Sequence, residues 1–135
     1  SLYNHHDLSE MALYPCAYSM TFNVSGNTLN GILNQRSQDM LTANGWNGMQ
    51  YAVLLHMVAQ VSGLEAGELV HGIADAHIYD RHGDAGREII TRQPYDAPRF
   101  SLDPAVTDFY AFTPDSVRLE GYQAHPVPGT IPVAV

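Results

Sequence analysis

The stretch AYSMTFNVSGNTLNGILNQR, residues 17–36, decides the fold. Tyr18, Met20, Phe22 and Val24 fall on one side of it, and Ser19, Thr21 and Asn23 on the other, the period of two that marks a strand. Ser25-Gly26-Asn27 interrupts the alternation with turn-forming residues, and 28–36 reads as a second strand. Two such runs joined by so short a turn are expected to pair as an antiparallel hairpin.

Outward from the hairpin, residues 46–62 (WNGMQYAVLLHMVAQVS) are apolar almost all round, which predicts a buried helix, with Gly63 as its stop. Residues 68–79 (ELVHGIADAHIY) return to strand period. Leu69, His71, Ile73, Asp75, His77 and Tyr79 would share one face. Residues 80–92 are expected to form a short helix, weakened by Gly83 and Gly86. Beyond residue 94, prolines separate short strand candidates at 98–102 and 117–121 before an apolar end, IPVAV. The class is α+β, in a single domain over residues 1–135.

The composition excludes several functions. With a formal net charge of −8, the chain lacks the basic surface that displaces counterions from nucleic acid. All six basic residues are arginine, and one or two well-placed arginines suffice for a small phosphorylated ligand. A hydrophobic fraction of 45% supports a packed core, and no run is long enough to span a bilayer. One cysteine allows no internal disulfide and fits a reducing compartment, so a cytoplasmic location is expected.

Three groups of residues could carry chemistry. A lone cysteine is most often a small buried hydrophobe. Cys16, however, follows Pro15 at the start of a strand, and Arg36 lies on the neighbouring one, where a guanidinium would favour the reactive thiolate. In the cluster Arg36-Ser37 with Asp39, the guanidinium and the hydroxyl side by side could hold a phosphate; the alternative is a surface arginine with Ser37 or Asp39 capping the next helix. Asp75, His77 and Tyr79, on one strand face, would meet a ligand or one another, or else form a solvated face. His71 extends that row but reads better as packing. His71, Asp75 and His77 on one flat strand would converge poorly on a metal, so no metal is expected.

Taken in order, the segments resemble the thymidylate synthase family. DLSEMALYPC (7–16) looks like the family's approach to its catalytic cysteine, and NQRSQDM (34–40) is similar to its phosphate and folate motif. WNGMQYAVLLHMVAQVSGLEAGEL (46–69) resembles its asparagine-bearing helix, DAHIYDRH (75–82) its signature strand, and LEGYQAHP (119–126) with PVAV (132–135) its C-terminal run. The resemblance implies a mixed sheet packed against the buried helix, and methylation of dUMP to dTMP with 5,10-methylenetetrahydrofolate as co-substrate. It implies Cys16 as the nucleophile on C6, Arg36 and Ser37 on the 5′-phosphate, and Arg36 activating Cys16. It further implies Asn47 on N3 and O4 of the uracil, and His77 and Tyr79 on the sugar 3′-hydroxyl. Asp39 would bind the pterin, and the Val135 carboxylate would close over the folate. The family's cytosine-directed members carry aspartate where this chain has Asn47, so a uracil nucleotide is implied.

The departures are Tyr14-Pro15-Cys16-Ala17 where the family usually has Pro-Pro-Cys-His, Ala43 for a glycine, and Gly45-Trp46-Asn47 for Pro-Phe-Asn. The family's N-terminal half, with a proton-relaying glutamate, a folate-packing tryptophan and phosphate-binding arginines, has no counterpart here. The chain alone is therefore expected to be incomplete as a synthase, needing an upstream segment or a second chain. A pyrimidine nucleotide hydroxymethylase and a non-catalytic nucleotide-binding homologue are the competing readings. A homodimer packed sheet to sheet is expected, because the sheet's far face should be apolar and need a cover. No nucleic acid or membrane partner is expected.

Overall fold

Strands β1 (Ala17–Ser25) and β2 (Thr28–Gln35) form the expected antiparallel hairpin in the computed structural model, which describes residues 3–133. Only two residues connect them. Gly26 has φ of 62°, and a positive φ confined to the first central position is the type II′ arrangement, whose twist suits the flanking strands. The chain then crosses over through α1 (Asn44–Val61) and returns as β4 (Glu65–Ile73), parallel to β2. The sheet order is thus β1-β2-β4, with one antiparallel and one parallel pairing. A parallel return needs a crossover of a dozen or more residues, and the helix supplies it.

One face of this sheet holds the core. Leu29 and Leu33 on β2 are buried with Leu55 and Ala59, and Ala17 and Tyr51 complete the interior. Leu33 is wholly inaccessible, at 0% exposure. Tyr51, Leu55 and Ala59 recur at every fourth position of α1, so the helix buries one stripe rather than its whole circumference. Trp46 and Met49, at 76% and 63% exposure, show that all-round apolarity did not translate into all-round burial. The helix ends in a Schellman motif: Leu64 N–H donates to Ala59 O at 2.9 Å and Gly63 N–H to Gln60 O at 3.1 Å. Gly63 takes the left-handed φ of 67° this requires, and Leu64 packs back onto the Ala59 cluster.

The opposite face differs from expectation. The paired residues Thr21 and Ile32, Ser19 and Asn34, and Asn23 and Asn30 share it, with Val70 beside Ile32. Glu65, paired with Thr28, lies on it as well; its other residues are mostly hydroxyl or amide, and its aliphatic area comes from exposed Ile32 and Val70, so it is not the apolar face foreseen.

The strand read as 68–79 also needs correction. It begins at Glu65 and ends at Ile73, and two residues later the chain forms β5 (Ala76–His77), parallel to β3 (Gln38–Asp39) in a separate two-stranded ladder. Both chains bend where β2 ends, and pairing resumes beyond the bend. Asp75, His77 and Tyr79 therefore do not share the face of one continuous strand with His71.

By its internal contacts the chain forms two compact units, Ser1–His77 and Ile78–Val135. The second contains helix α2 (Gly83–Ile89), the antiparallel pair β6 (Arg99–Leu102) and β7 (Val117–Glu120), and single 3-10 turns at Asp80–His82, Phe109–Ala111 and Pro114–Ser116. Among the described residues no helix is long and apolar enough to cross a membrane.

Candidate active site

Cys16 and Arg36 stand at the open end of the hairpin, one just before β1 and the other just after β2, so strand pairing brings them together. Arg36 N–H donates to Cys16 O at 2.9 Å and continues the ladder by one bond. The guanidinium turns back over the segment preceding the cysteine. Nη2 donates to Tyr14 O at 2.7 Å, Nε to Pro15 O at 3.3 Å, and Nη2 also lies 3.8 Å from Cys16 Sγ. The planar fork of arginine can reach two carbonyls and a sulfur in one pose, which a lysine could not. The Tyr3 hydroxyl donates to Pro15 O at 3.0 Å. Cys16 is half-buried, held by two strands and beside a fixed positive charge. Arg36 is thus no surface arginine capping the next helix.

Asp39 does serve the turn. Its Oδ1 accepts from Leu41 N–H at 2.9 Å and Thr42 N–H at 3.2 Å, and its Oδ2 from the Thr42 hydroxyl. These bonds shape the loop between β3 and α1, whose N-cap, Ala43, has no side-chain acceptor to offer. Asn47 lies in the first turn of α1, half-buried, and its Nδ2 donates to Gln38 Oε1 at 2.8 Å. Ser37 is half-buried and its carbonyl accepts from Gln35 Nε2 at 2.7 Å.

Gln35 and Gln38, absent from the three groups above, are each 1% exposed. Gln35 Nε2 also donates to Gln38 Oε1, and Gln38 Nε2 to Asn44 Oδ1 at 3.4 Å. His71 Nε2 stands 3.0 Å from Gln35 Oε1. Burial holds the His71 pKa below the ordinary histidine value, so the ring stays neutral. A signal for this network was available. Alternation from Leu29 through Gly31 and Leu33 puts Gln35 on the core face, and a buried amide there needs partners.

His77 sits in β5, where register sets it beside Asp39; Met40 N–H donates to His77 O at 2.9 Å. Asp75 Oδ2 lies 3.3 Å from His77 Nδ1, and Asp75 O accepts from Gln38 N–H at 2.9 Å. Asp75 and His77 thus meet one another, as one reading of that cluster required. Tyr79 belongs to the second unit, caps the turn Asp80–His82 and packs edge-on to His82 at 5.7 Å between ring centroids. In that unit His82 is buried and its Nε2 donates to Pro132 O at 2.7 Å. Val135, expected to close over a folate, lies outside the described residues. Among the described residues no group of three or more His, Cys, Asp or Glu side chains could hold a metal ion.

The family model for thymidylate synthase matches residues 1–135. A thymidylate synthase of Clostridium beijerinckii is 42% identical over 120 residues, covering 87% of this chain and 46% of the relative. One from Bacillus phage phi3T is 41% identical over 122 residues, covering 90% and 44%. In structure the chain is similar to the thermostable thymidylate synthase A of Bacillus subtilis, with a TM-score of 0.83 and 40% identity over 89% of this chain and 43% of that one. The chain spans about half the length of the relatives it matches. With an α+β fold shared at this level and a family match running from its first residue to its last, this chain belongs to the thymidylate synthase family.

Proposed function

We propose that this protein transfers one carbon to C5 of a pyrimidine nucleotide, converting dUMP to dTMP with 5,10-methylenetetrahydrofolate. The observation that carries this reading is Cys16 Sγ at the mouth of the hairpin, 3.8 Å from Arg36 Nη2 and held by two strands. Cys16 adds to C6 of the uracil, which makes C5 nucleophilic. Arg36 steadies the sulfur and, with Ser37, holds the 5′-phosphate. Asn47 faces the base edge at N3 and O4. His77 and Tyr79 hold the 3′-hydroxyl. The folate, when bound, would supply the carbon and the hydride that reduces it and leave as dihydrofolate; C5 gives up its proton, and departure of the Cys16 thiolate from C6 restores the C5–C6 double bond. Asp39 offers a carboxylate already oriented by the Leu41 and Thr42 amides, chemistry that fits the N–H donors of a pterin. The Val135 carboxylate is assigned to the same co-substrate.

A homodimer built face to face on the sheet is part of this reading. Exposed Ile32 and Val70, side by side on that face, favour self-packing. A cytoplasmic setting fits the unpaired Cys16. The decisive assay follows exchange of the C5 hydrogen of dUMP with solvent, which requires only addition at C6. Exchange is expected with the wild-type chain and absent in Cys16→Ser. Equal exchange by both would remove Cys16 from the role of nucleophile.

A further inference from the structure

We propose that Gln38 is the positioning residue that fixes which way the Asn47 amide faces, and through it sets the choice between uracil and cytosine. The inference rests on the assignment of Asn47 to the base edge given above. An asparagine presents one acceptor and two donors, and turning the amide over exchanges them. In one orientation its N–H meets uracil O4 and its oxygen meets the N3 proton. In the other its oxygen meets the cytosine N4 amino group and its N–H meets unprotonated N3. Asn47 alone therefore reads neither base; its orientation does.

That orientation is determined from below. The Ser37 carbonyl can only accept, and Gln35 Nε2 lies 2.7 Å from it. Reversing the Gln35 amide would set two oxygens against each other, so Nε2 stays where it is and its second proton goes to Gln38 Oε1. Gln35 Oε1 then faces His71 Nε2 at 3.0 Å, which must carry the proton. Gln38, with its oxygen turned toward Gln35, presents the same oxygen to Asn47, and Asn47 answers with Nδ2 at 2.8 Å. Gln38 Nε2 donates to Asn44 Oδ1 at 3.4 Å on the same helix. Gln35 and Gln38 are each 1% exposed, so water cannot take the place of a lost partner. One Asn47 N–H is thereby engaged, and a donor and an acceptor remain in fixed order for a ligand.

The test compares Gln38→Met, close in size but without the acceptor, with Gln38→Glu, which keeps an oxygen toward Gln35 and Asn47. Equilibrium binding of dUMP and of dCMP is measured for the wild-type chain and both variants, and the ratio of the two affinities is the readout. A change in packing alone weakens both nucleotides together and leaves the ratio in place. The wild type is expected to favour dUMP, Gln38→Met to lose about tenfold of that preference, and Gln38→Glu to retain it. A wild type that binds neither nucleotide, or both equally, overturns the assignment of Asn47 as well as this inference. A wild type that favours dUMP, with Gln38→Met equally selective, overturns only the role of Gln38. Should Gln38→Met fail to fold, proton exchange at the Asn47 side-chain amide of the wild type decides. One slowly exchanging proton supports the anchor, and two fast ones refute it.

Discussion

The two units of this chain hold themselves together by different means. Up to His77, order comes from burial: a helix stripe on a three-stranded sheet, with Leu33, Leu55 and Ala59 sealed and Gln35 and Gln38 locked among them. From Ile78 onward, buried residues are sparse, and the proline-rich tail is gripped by long polar side chains. Arg81 Nη1 donates to Val133 O at 3.1 Å, His82 Nε2 to Pro132 O at 2.7 Å, Arg92 Nη1 to Pro126 O at 2.6 Å and His125 Nε2 to Gln93 O at 2.8 Å. Proline has no N–H with which to join a sheet, yet its neighbours' and its own carbonyls still accept. A segment that cannot form a ladder can therefore be clasped instead. The lesson is that exact placement of side chains, which chemistry needs, is supplied by the first arrangement, and the second supplies attachment.

The contrast can be broken by substitution. Leu33→Ala removes a wholly buried side chain and should cost about 2–5 kcal/mol in denaturant unfolding. A loss well under 1 kcal/mol would mean that the first unit does not depend on its core. His82→Ala takes away a buried donor and leaves Pro132 O without it, and about 1–3 kcal/mol is expected. Hydrogen exchange across 81–89 should rise with it; unchanged exchange would show the clasp to be idle. Acid sharpens the same distinction. Burial lowers the pKa of both His71 and His56 from the ordinary 6.5, so the unfolded chain binds protons more readily. Their contribution is complete above 6.5 and is lost as the pH falls from 6.5 toward their folded-state values. Replacing both by glutamine should flatten that part of the stability profile, and an unaltered slope would assign the acid sensitivity elsewhere. The smallest effect is expected from Arg92→Ala. Half-buried Arg92 bonds to Pro126 O and to the exposed carboxylate of Glu88, where solvent screens the pair, and its removal should cost about 0–1 kcal/mol. A loss above 2 kcal/mol would mean that the clasp is stronger than its exposure implies.

How much of this was legible in the sequence varies along the chain. The hairpin was, because alternation and a Gly-Asn turn act over neighbouring residues. So were α1 and its stop at Gly63, although the face α1 buries could not be read from an all-round apolar run. The pairing of Cys16 with Arg36 followed from the hairpin alone. Asn47 entered only through resemblance, since one asparagine in a helix carries no pattern of its own, and Asp39, though noted beside Arg36 and Ser37, gained its pterin role the same way. The bend after Ile73 was hidden because period two continues through it in the letters, while the ladder partner turns at Gln35. The buried amides escaped notice because a glutamine is usually on the surface, and only its place in the alternation says otherwise. The turns Asp80–His82 and Pro114–Ser116 lie below the length at which periodicity speaks.

One consequence of the Ser37 carbonyl concerns how such a site can drift over generations. The acceptor belongs to the main chain, so no exchange at position 37 can turn it into a donor. Substitution there changes the hydroxyl and leaves intact the reference against which Gln35, Gln38 and Asn47 are aligned. Positions 35, 38 and 47 are free to vary, but only in combinations that keep a donor facing each acceptor along the row. A single change at Asn47 to a carboxylate would set oxygen against Gln38 Oε1. A lineage moving from one base to another would therefore have to revise this row of side chains together, while the backbone beneath it kept the same polarity throughout.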